Sequence, residues 1–120
     1  VVPMSLEDKE GPVASPPEAG SSAEEARALL PKAKVVSAFH HLDAKALQSV
    51  DKPMQGDVIV CSDHKTAKKK VMQLVEEIEY VRAMDGGGLQ NSRITEAITV
   101  LLIHINKIYK SHSGIRITGI

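Results

Sequence analysis

Asp85-Gly86-Gly87-Gly88-Leu89-Gln90-Asn91-Ser92-Arg93 opens a long apolar run that continues to Lys110, and the rest of the chain has to be fitted around it. Leu89, Ile94, Ala97, Ile98, Leu101, Leu102, Ile105, Ile108 and Tyr109 recur at the three- and four-residue steps of one helical face, whereas Arg93, Glu96, Asn106 and Lys107 fall elsewhere on the wheel. The pattern predicts a helix over residues 89–110. From Ala97 to Ile103 it is apolar nearly all round, which predicts a helix covered on most sides. The uncharged run is about ten residues, well short of the ~20 that a bilayer requires. The glycines before the helix have two readings. They let backbone approach a flat or anionic ligand, or they make a sharp strand-to-helix corner; the corner is the simpler.

A chain of 120 residues with 42% hydrophobic content supports one domain with its own core. Zero formal net charge and a pI near 7.1 argue against nucleic acid, because neutralising phosphates takes an excess of Lys and Arg. Phe39, Tyr80 and Tyr109 are too few aromatics for a base-stacking platform. The lone Cys61 lies in an apolar run, cannot form an internal disulfide, and reads as a small buried hydrophobe in a reducing, cytoplasmic compartment. The amino end has neither a basic start nor an apolar segment of signal-peptide type.

Val1-Val2-Pro3-Met4 reads as the end of a strand whose beginning is missing. Residues 5–22 are rich in Pro, Gly, Ser and acid, which predicts a mobile loop. Ser22 before Ala23-Glu24-Glu25 predicts a capped helix ending near Pro31. Val35-Val36-Ser37-Ala38-Phe39 reads as a short strand delivering His40 and His41 at its carboxyl end, the edge where open α/β sheets bind ligands. Residues 44–50 form a helical turn or two. Asp57-Val58-Ile59-Val60-Cys61 is a second strand, capped by Ser62-Asp63 into a helix over 65–79 with Ala67, Val71, Leu74, Val75 and Ile78 inward. Val81–Asp85 is a third strand, and residues 114–120 are a β-prone tail. Strands alternating with helices predict crossover units in a parallel or mixed sheet.

Lys65, Lys68, Lys69 and Lys70 crowd the start of the 65–79 helix, and Glu76, Glu77 and Glu79 its end, both against the helix dipole. An anion near the lysines is one reading; a solvated face with i,i+4 partners is the simpler one. Five histidines invite a metal, but only His40 and His41 are adjacent, and strand neighbours point to opposite faces. No ligand spacing, serine elbow or exposed cysteine is present, so no catalytic and no metal residue is assigned. His40 has two readings: a ring that orients a ligand, or one satisfied by backbone. No Gly-x-Gly-x-x-Gly follows a strand.

Val35-Val36-Ser37-Ala38-Phe39-His40-His41, Asp57–Cys61, Asn91-Ser92-Arg93 with Glu96 and Leu101-Leu102-Ile103, and Gly114–Gly119 together resemble the carboxyl-terminal half of F420-dependent NADP reductases. The opening Val2-Pro3 and residues 20–31 fit the same family, so the resemblance covers essentially the whole chain. It implies the carboxyl-terminal part of a Rossmann-like α/β fold, with three short strands alternating with helices and ending in a long buried helix. It also implies hydride transfer between reduced coenzyme F420, a deazaflavin, and NADP, with both cofactors meeting in one cleft. His40 and Leu42 match strand-end positions that contact the deazaflavin, Ala44 a position whose backbone reaches NADP, and Val2, Pro3 and Met4 a strand end lining the cleft. Ser113 falls in the loop that touches the deazaflavin. Where the family has Asp-Ala-Gly-Pro-Leu, this chain has Asp85-Gly86-Gly87-Gly88-Leu89, and Val100 replaces a proline.

Residues 1–34 therefore read as strand end, loop and short helix, and residues 35–120 as the α/β portion with its long helix. The family's phosphate loop and 2′-phosphate-reading residues would precede Val1, so the expected partners, besides the small-molecule cofactors, are a second copy in a dimer or a separate amino-terminal nucleotide-binding part. The alternatives are a non-catalytic deazaflavin-binding or interaction module, and a generic self-associating α/β domain.

Overall fold

The computed structural model describes residues 1–6, 9–49 and 51–120. Its centre is a pair of parallel strands, β3 (Gly56–Val60) and β4 (Val81–Asp85), with Val58 opposite Ala83 and Val60 opposite Asp85. Parallel pairing needs a crossover, and the helix α3 (Lys65–Glu76) supplies it. Ahead of them lie β1 (Met4–Ser5), β2 (Val13–Ala14), α1 (Ser22–Leu29) and α2 (Ala44–Gln48); after them a 3-10 turn (Leu89–Asn91) feeds α4 (Ser92–Tyr109). The fold is α/β, as the alternation predicts.

Val58 and Val60 are fully buried and form the core with Val75 and Val81, closed in by Val36, Ala38, Phe39, Val71 and Met72. On α3 the inward stripe is Lys68-Val71-Met72-Val75, at i, i+3, i+4 and i+7. That phase turns Leu74, expected inside, out to 62% exposure.

The expected strand at Val35–Phe39 shrinks to a single bridge. Ser37 and Cys61 exchange both backbone bonds at 2.9 Å in an antiparallel pair. The ladder stops because Phe39 takes φ +68°, a left-handed conformation that an aromatic residue adopts only when its surroundings impose it. The segment runs against β3, so the sheet is mixed and His40 and His41 sit toward the amino end of β3, not at the carboxyl edge of the parallel pair.

The long helix also differs from its expectation. Its buried residues are Ser92, Thr95, Glu96, Val100 and Leu102, whereas Ile94, Leu101 and Ile108 are 62%, 58% and 72% exposed. The polar stripe faces in because each of its groups finds a partner, and a satisfied polar group can be buried at little cost.

Smaller corrections concern caps and ends. The α1 cap is Ser21, not Ser22: its hydroxyl accepts from Glu24 N at 3.1 Å and donates to the Glu24 carboxylate at 2.8 Å. Asp63 does not cap α3 but accepts from Leu89 N at 3.0 Å and pairs with Arg27. The expected 5–22 loop is tied down: its Ala14 pairs with Met4 and its Val13 with Ser5, and the Pro12 carbonyl is 2.7 Å from His104 Nε2. Glu7 and Asp8 of that loop, and Val50 of the 44–50 turn, lie outside the described residues. The β-prone 114–120 tail joins no ladder.

Candidate functional site

The glycine stretch resolves as a packed corner. A Cβ on Gly86 would lie 2.5 Å from Ile59 Cγ2 and 2.6 Å from Cys61 Sγ, and Gly87 takes φ +84°. Gly86 N donates to Val60 O at 2.9 Å, Ser62 N to Gly87 O at 3.1 Å, and Asn91 Nδ2 to Gly86 O at 2.7 Å. Lys68, one of the crowded lysines, is buried here: its ammonium donates to Asp85 Oδ1 at 2.6 Å and to Gly87 O at 3.0 Å. This bond, with the Gly87 amide, holds the Asp85 carboxyl below the usual range. Lys68 is thus part of the corner's own wiring.

From the corner, α4 runs back along the 37–41 segment, tied to it by polar bonds. Ser92 Oγ donates to Ser37 Oγ at 2.7 Å, His41 Nε2 to Thr95 O at 3.1 Å, and Thr99 Oγ1 to His40 O at 2.7 Å. Glu96 accepts from Ser22 N at 2.8 Å and Ala23 N at 3.1 Å, and Arg93 grips Glu24 at 2.8 and 2.9 Å. The amino end of α1 is therefore already occupied by a carboxylate of the same chain.

Beyond these bonds lies a cavity of about 250 Å³ lined by His40, Leu42, Ala44 and Ser113, with Thr99, Leu102 and Asn106 of α4. Four of the residues marked by the resemblance thus meet around one space. His40 also lines a more open cavity of about 400 Å³ with Val1, Ser37, Ala38 and Glu96. Pro3 lines a third, of about 40 Å³, with Gly20 and Arg93. Val2 and Met4 are half-buried and line none of the three. A larger opening of about 500 Å³, between Leu47, Pro53 and Tyr80, holds none of the marked residues.

Burial pushes the His40 ring down to about 4, so at neutral pH it is uncharged. Burial also lowers His41, opposed by its bond to the Thr95 carbonyl. Because His41 Nε2 donates, its Nδ1 carries a lone pair; Nδ1 of His41 and of His40 are buried without a hydrogen-bond partner among the described residues. Neutral rings with spare polar atoms, apolar Leu42 and Leu102, and the amide and hydroxyls of Asn106, Thr99 and Ser113 suit a flat ring with a polar edge. Among the described residues no group of three or more His, Cys, Asp or Glu could hold a metal ion.

Ser113 owes its position to α4: Asn106 Oδ1 accepts its amide and its hydroxyl, both at 2.6 Å. Just before it, His112 Nδ1 lies 2.5 Å from Asp43 Oδ2. Thr99 and Asn106 escaped the sequence reading because a threonine and an asparagine on an apolar helix carry no local mark of a site. Glu96 escaped it because a carboxylate is expected outside.

No family model matches the chain. A protein of Methanocaldococcus jannaschii named F420-dependent NADP reductase is 46% identical over 114 residues, which is 94% of this chain and 51% of that protein. A protein of the same name from Methanothermobacter thermautotrophicus is 42% identical over 104 residues, 84% of this chain and 45% of that protein. In sequence, the chain is similar over most of its own length to proteins named F420-dependent NADP reductase. It spans about half the length of the curated relatives it matches. A crystal structure from Arthrobacter sp. FB24, solved as a candidate F420-dependent NADP reductase, superposes with a TM-score of 0.85 at 20% identity, covering 98% of this chain and 55% of that one. The likeness shows a shared, Rossmann-like α/β fold. Among the described residues no helix is long and apolar enough to cross a membrane.

Proposed function

We propose that this chain forms the deazaflavin-facing part of an oxidoreductase that moves a hydride between reduced coenzyme F420 and NADP. Identity of 41–46% to F420-dependent NADP reductases over most of the chain carries the reading. The meeting of His40, Leu42, Ala44 and Ser113 around one cavity supports it. Coenzyme F420, when bound, supplies the hydride; the protein's task is to hold, orient and keep dry. Leu42 and Leu102 give the ring faces an apolar wall, and Ser113, whose hydroxyl proton goes to Asn106 Oδ1, offers an acceptor oxygen to the edge. Neutral His40 contributes its ring without adding a charge that would need its own counter-ion. Ala44, at the start of α2, stands where NADP is expected to come near; Val2, Pro3 and Met4 line none of that cavity, and their place in the cleft rests on the resemblance alone. No residue is assigned to proton transfer.

The nucleotide-binding part is supplied by further chain or by a partner, and the apolar outer face of α4, with Ile94, Leu101 and Ile108 exposed, supports such a covering, a homodimer included. The compartment that suits a lone buried Cys61 is the cytoplasm. Nothing favours the non-catalytic module over the enzyme.

The test is a titration of the purified protein with oxidised F420 followed by NADPH, reading the deazaflavin absorbance. Bleaching on addition of NADPH is the expected result. A folded protein containing this chain that binds neither cofactor would sink the reading.

A further inference from the structure

We infer that the Asp57–Arg82 ion pair, which touches none of the proposed cofactor cavity, positions the strap of residues 113–117, whose first residue, Ser113, lines it, and thereby sets its affinity for the deazaflavin. The inference rests on the function proposed above.

Asp57, on β3, is fully buried. Its carboxylate takes Arg82 Nε at 2.8 Å and Nη2 at 2.6 Å, a two-pronged pairing that only a guanidinium can make. The same two residues also seize the tail. Ile117 N donates to Asp57 Oδ2 at 2.6 Å, Arg82 Nη2 to Ile117 O at 2.7 Å, and Asp57 N to Ile115 O at 2.8 Å. The tail has no strand ladder of its own, so these bonds fix its course.

One residue separates this anchor from the cavity. Ser113 lines the space, Ile115 is already tied to Asp57, and Gly114 lies between them. A Cβ on Gly114 would stand 3.4 Å from His41 O and 3.8 Å from Gln55 O, so the strap passes closely against both walls. On the other side, Gly56 next to Asp57 backs on Leu42, whose Cδ2 would lie 3.0 Å from an added Cβ. Movement of the Asp57–Arg82 pair therefore reaches Ser113 along two residues of chain, and Leu42 through its contact with Gly56. If the pair served only to stabilise the fold, its loss would weaken every ligand alike.

The experiment compares the full-length protein with Arg82→Lys, which keeps the charge but cannot span both Asp57 oxygens and the Ile117 carbonyl, and with Ile117→Pro, which removes the tail amide and leaves the ion pair intact. Dissociation constants for F420 and for NADP are measured with amide hydrogen exchange of residues 113–117. Both variants are expected to lose about tenfold in F420 affinity, to keep NADP affinity within about twofold, and to exchange the tail amides faster, those of residues 115–117 in Arg82→Lys and of residues 115 and 116 in Ile117→Pro. F420 affinity within about twofold of wild type in a variant with faster exchange would overturn the inference; so would equal weakening of both cofactors. Failure of the wild-type protein to bind F420 at all is seen without any variant and removes the functional reading, and this inference with it.

Discussion

The carboxylate of Glu96 on α4 accepts the backbone amide of Ser22 at 2.8 Å, so a side chain from one helix completes the first turn of another more than seventy residues away in sequence. Ala23 N donates to the same carboxylate at 3.1 Å. Helix amides have no partner within the first turn, and a buried anion at that end is favoured by the helix dipole as well.

Glu96→Ala leaves one buried and one half-buried amide without their carboxylate and is expected to cost about 2 kcal/mol, whereas Glu96→Gln, which keeps one acceptor, costs roughly 1 kcal/mol. Urea denaturation of the two variants beside wild type checks the order. Equal losses would mean that the carboxylate's hydrogen bonds are not what holds α1.

Gly86→Ala is expected to be the most damaging single change at the corner. Its new methyl group would meet Ile59 and Cys61 inside any real contact distance, at 2.5 and 2.6 Å, and Cys61 is fully buried. A cost of about 2 kcal/mol or more follows from overpacking. Gly87→Ala, strained by φ +84° but 3.1 Å from a movable Asn91 amide, costs about 1 kcal/mol. Thermal midpoints of the two variants should fall in that order.

Lys68→Met removes the ammonium that chiefly holds the Asp85 carboxyl low. The Asp85 titration, followed by carboxyl NMR, should move up toward its ordinary range while Asp57 does not move. The sign of the linkage is fixed: a carboxyl lowered in the folded state lends stability above its unfolded pKa and loses it as pH falls through the folded one. The variant should therefore shed less stability below about pH 4 than wild type does.

His40 sets a second acid window. Its folded value near 4 lies below the 6.5 of a free ring, so the unfolded chain gains a proton first as the medium is acidified. Stability should fall between pH 6.5 and about 4, by a few kcal/mol at most, and His40→Asn should flatten that slope. F420 binding, measured across the same range, should lack the inflection at 6.5 that an exposed histidine would produce. A clear inflection there that vanishes in His40→Asn would refute the buried, neutral ring.

β3, α3, β4 and the corner were legible because apolar runs, period and glycine all agreed locally. The Val35–Phe39 segment misled for a tertiary reason: nothing in its residues announces the left-handed Phe39 that ends the ladder after one bridge. Helix α4 misled because the wheel assumes apolar inside. Ser92, Thr95, Glu96 and Thr99 form an equally regular i, i+3, i+4, i+7 stripe, and only the folded chain reveals that Ser37, Ser22, Ala23 and His40 await them. Of the site, His40, Leu42, Ala44 and Ser113 were marked by resemblance, and their shared cavity follows from long-range bonds that no local pattern encodes.

Because the 35–39 segment runs against β3, the corner and the cavity lie at opposite ends of the sheet and tolerate insertions and deletions differently. A residue gained or lost near Gly87 would break the bonds to Lys68 and Asp85 and the close packing of Gly86 on Ile59 and Cys61, and would shift the start of α4. The same change between Leu42 and Gly56 falls in a largely exposed connection that can absorb it while β3 keeps its register. Length variation among related chains should accordingly be sparse at the corner and collect in that connection.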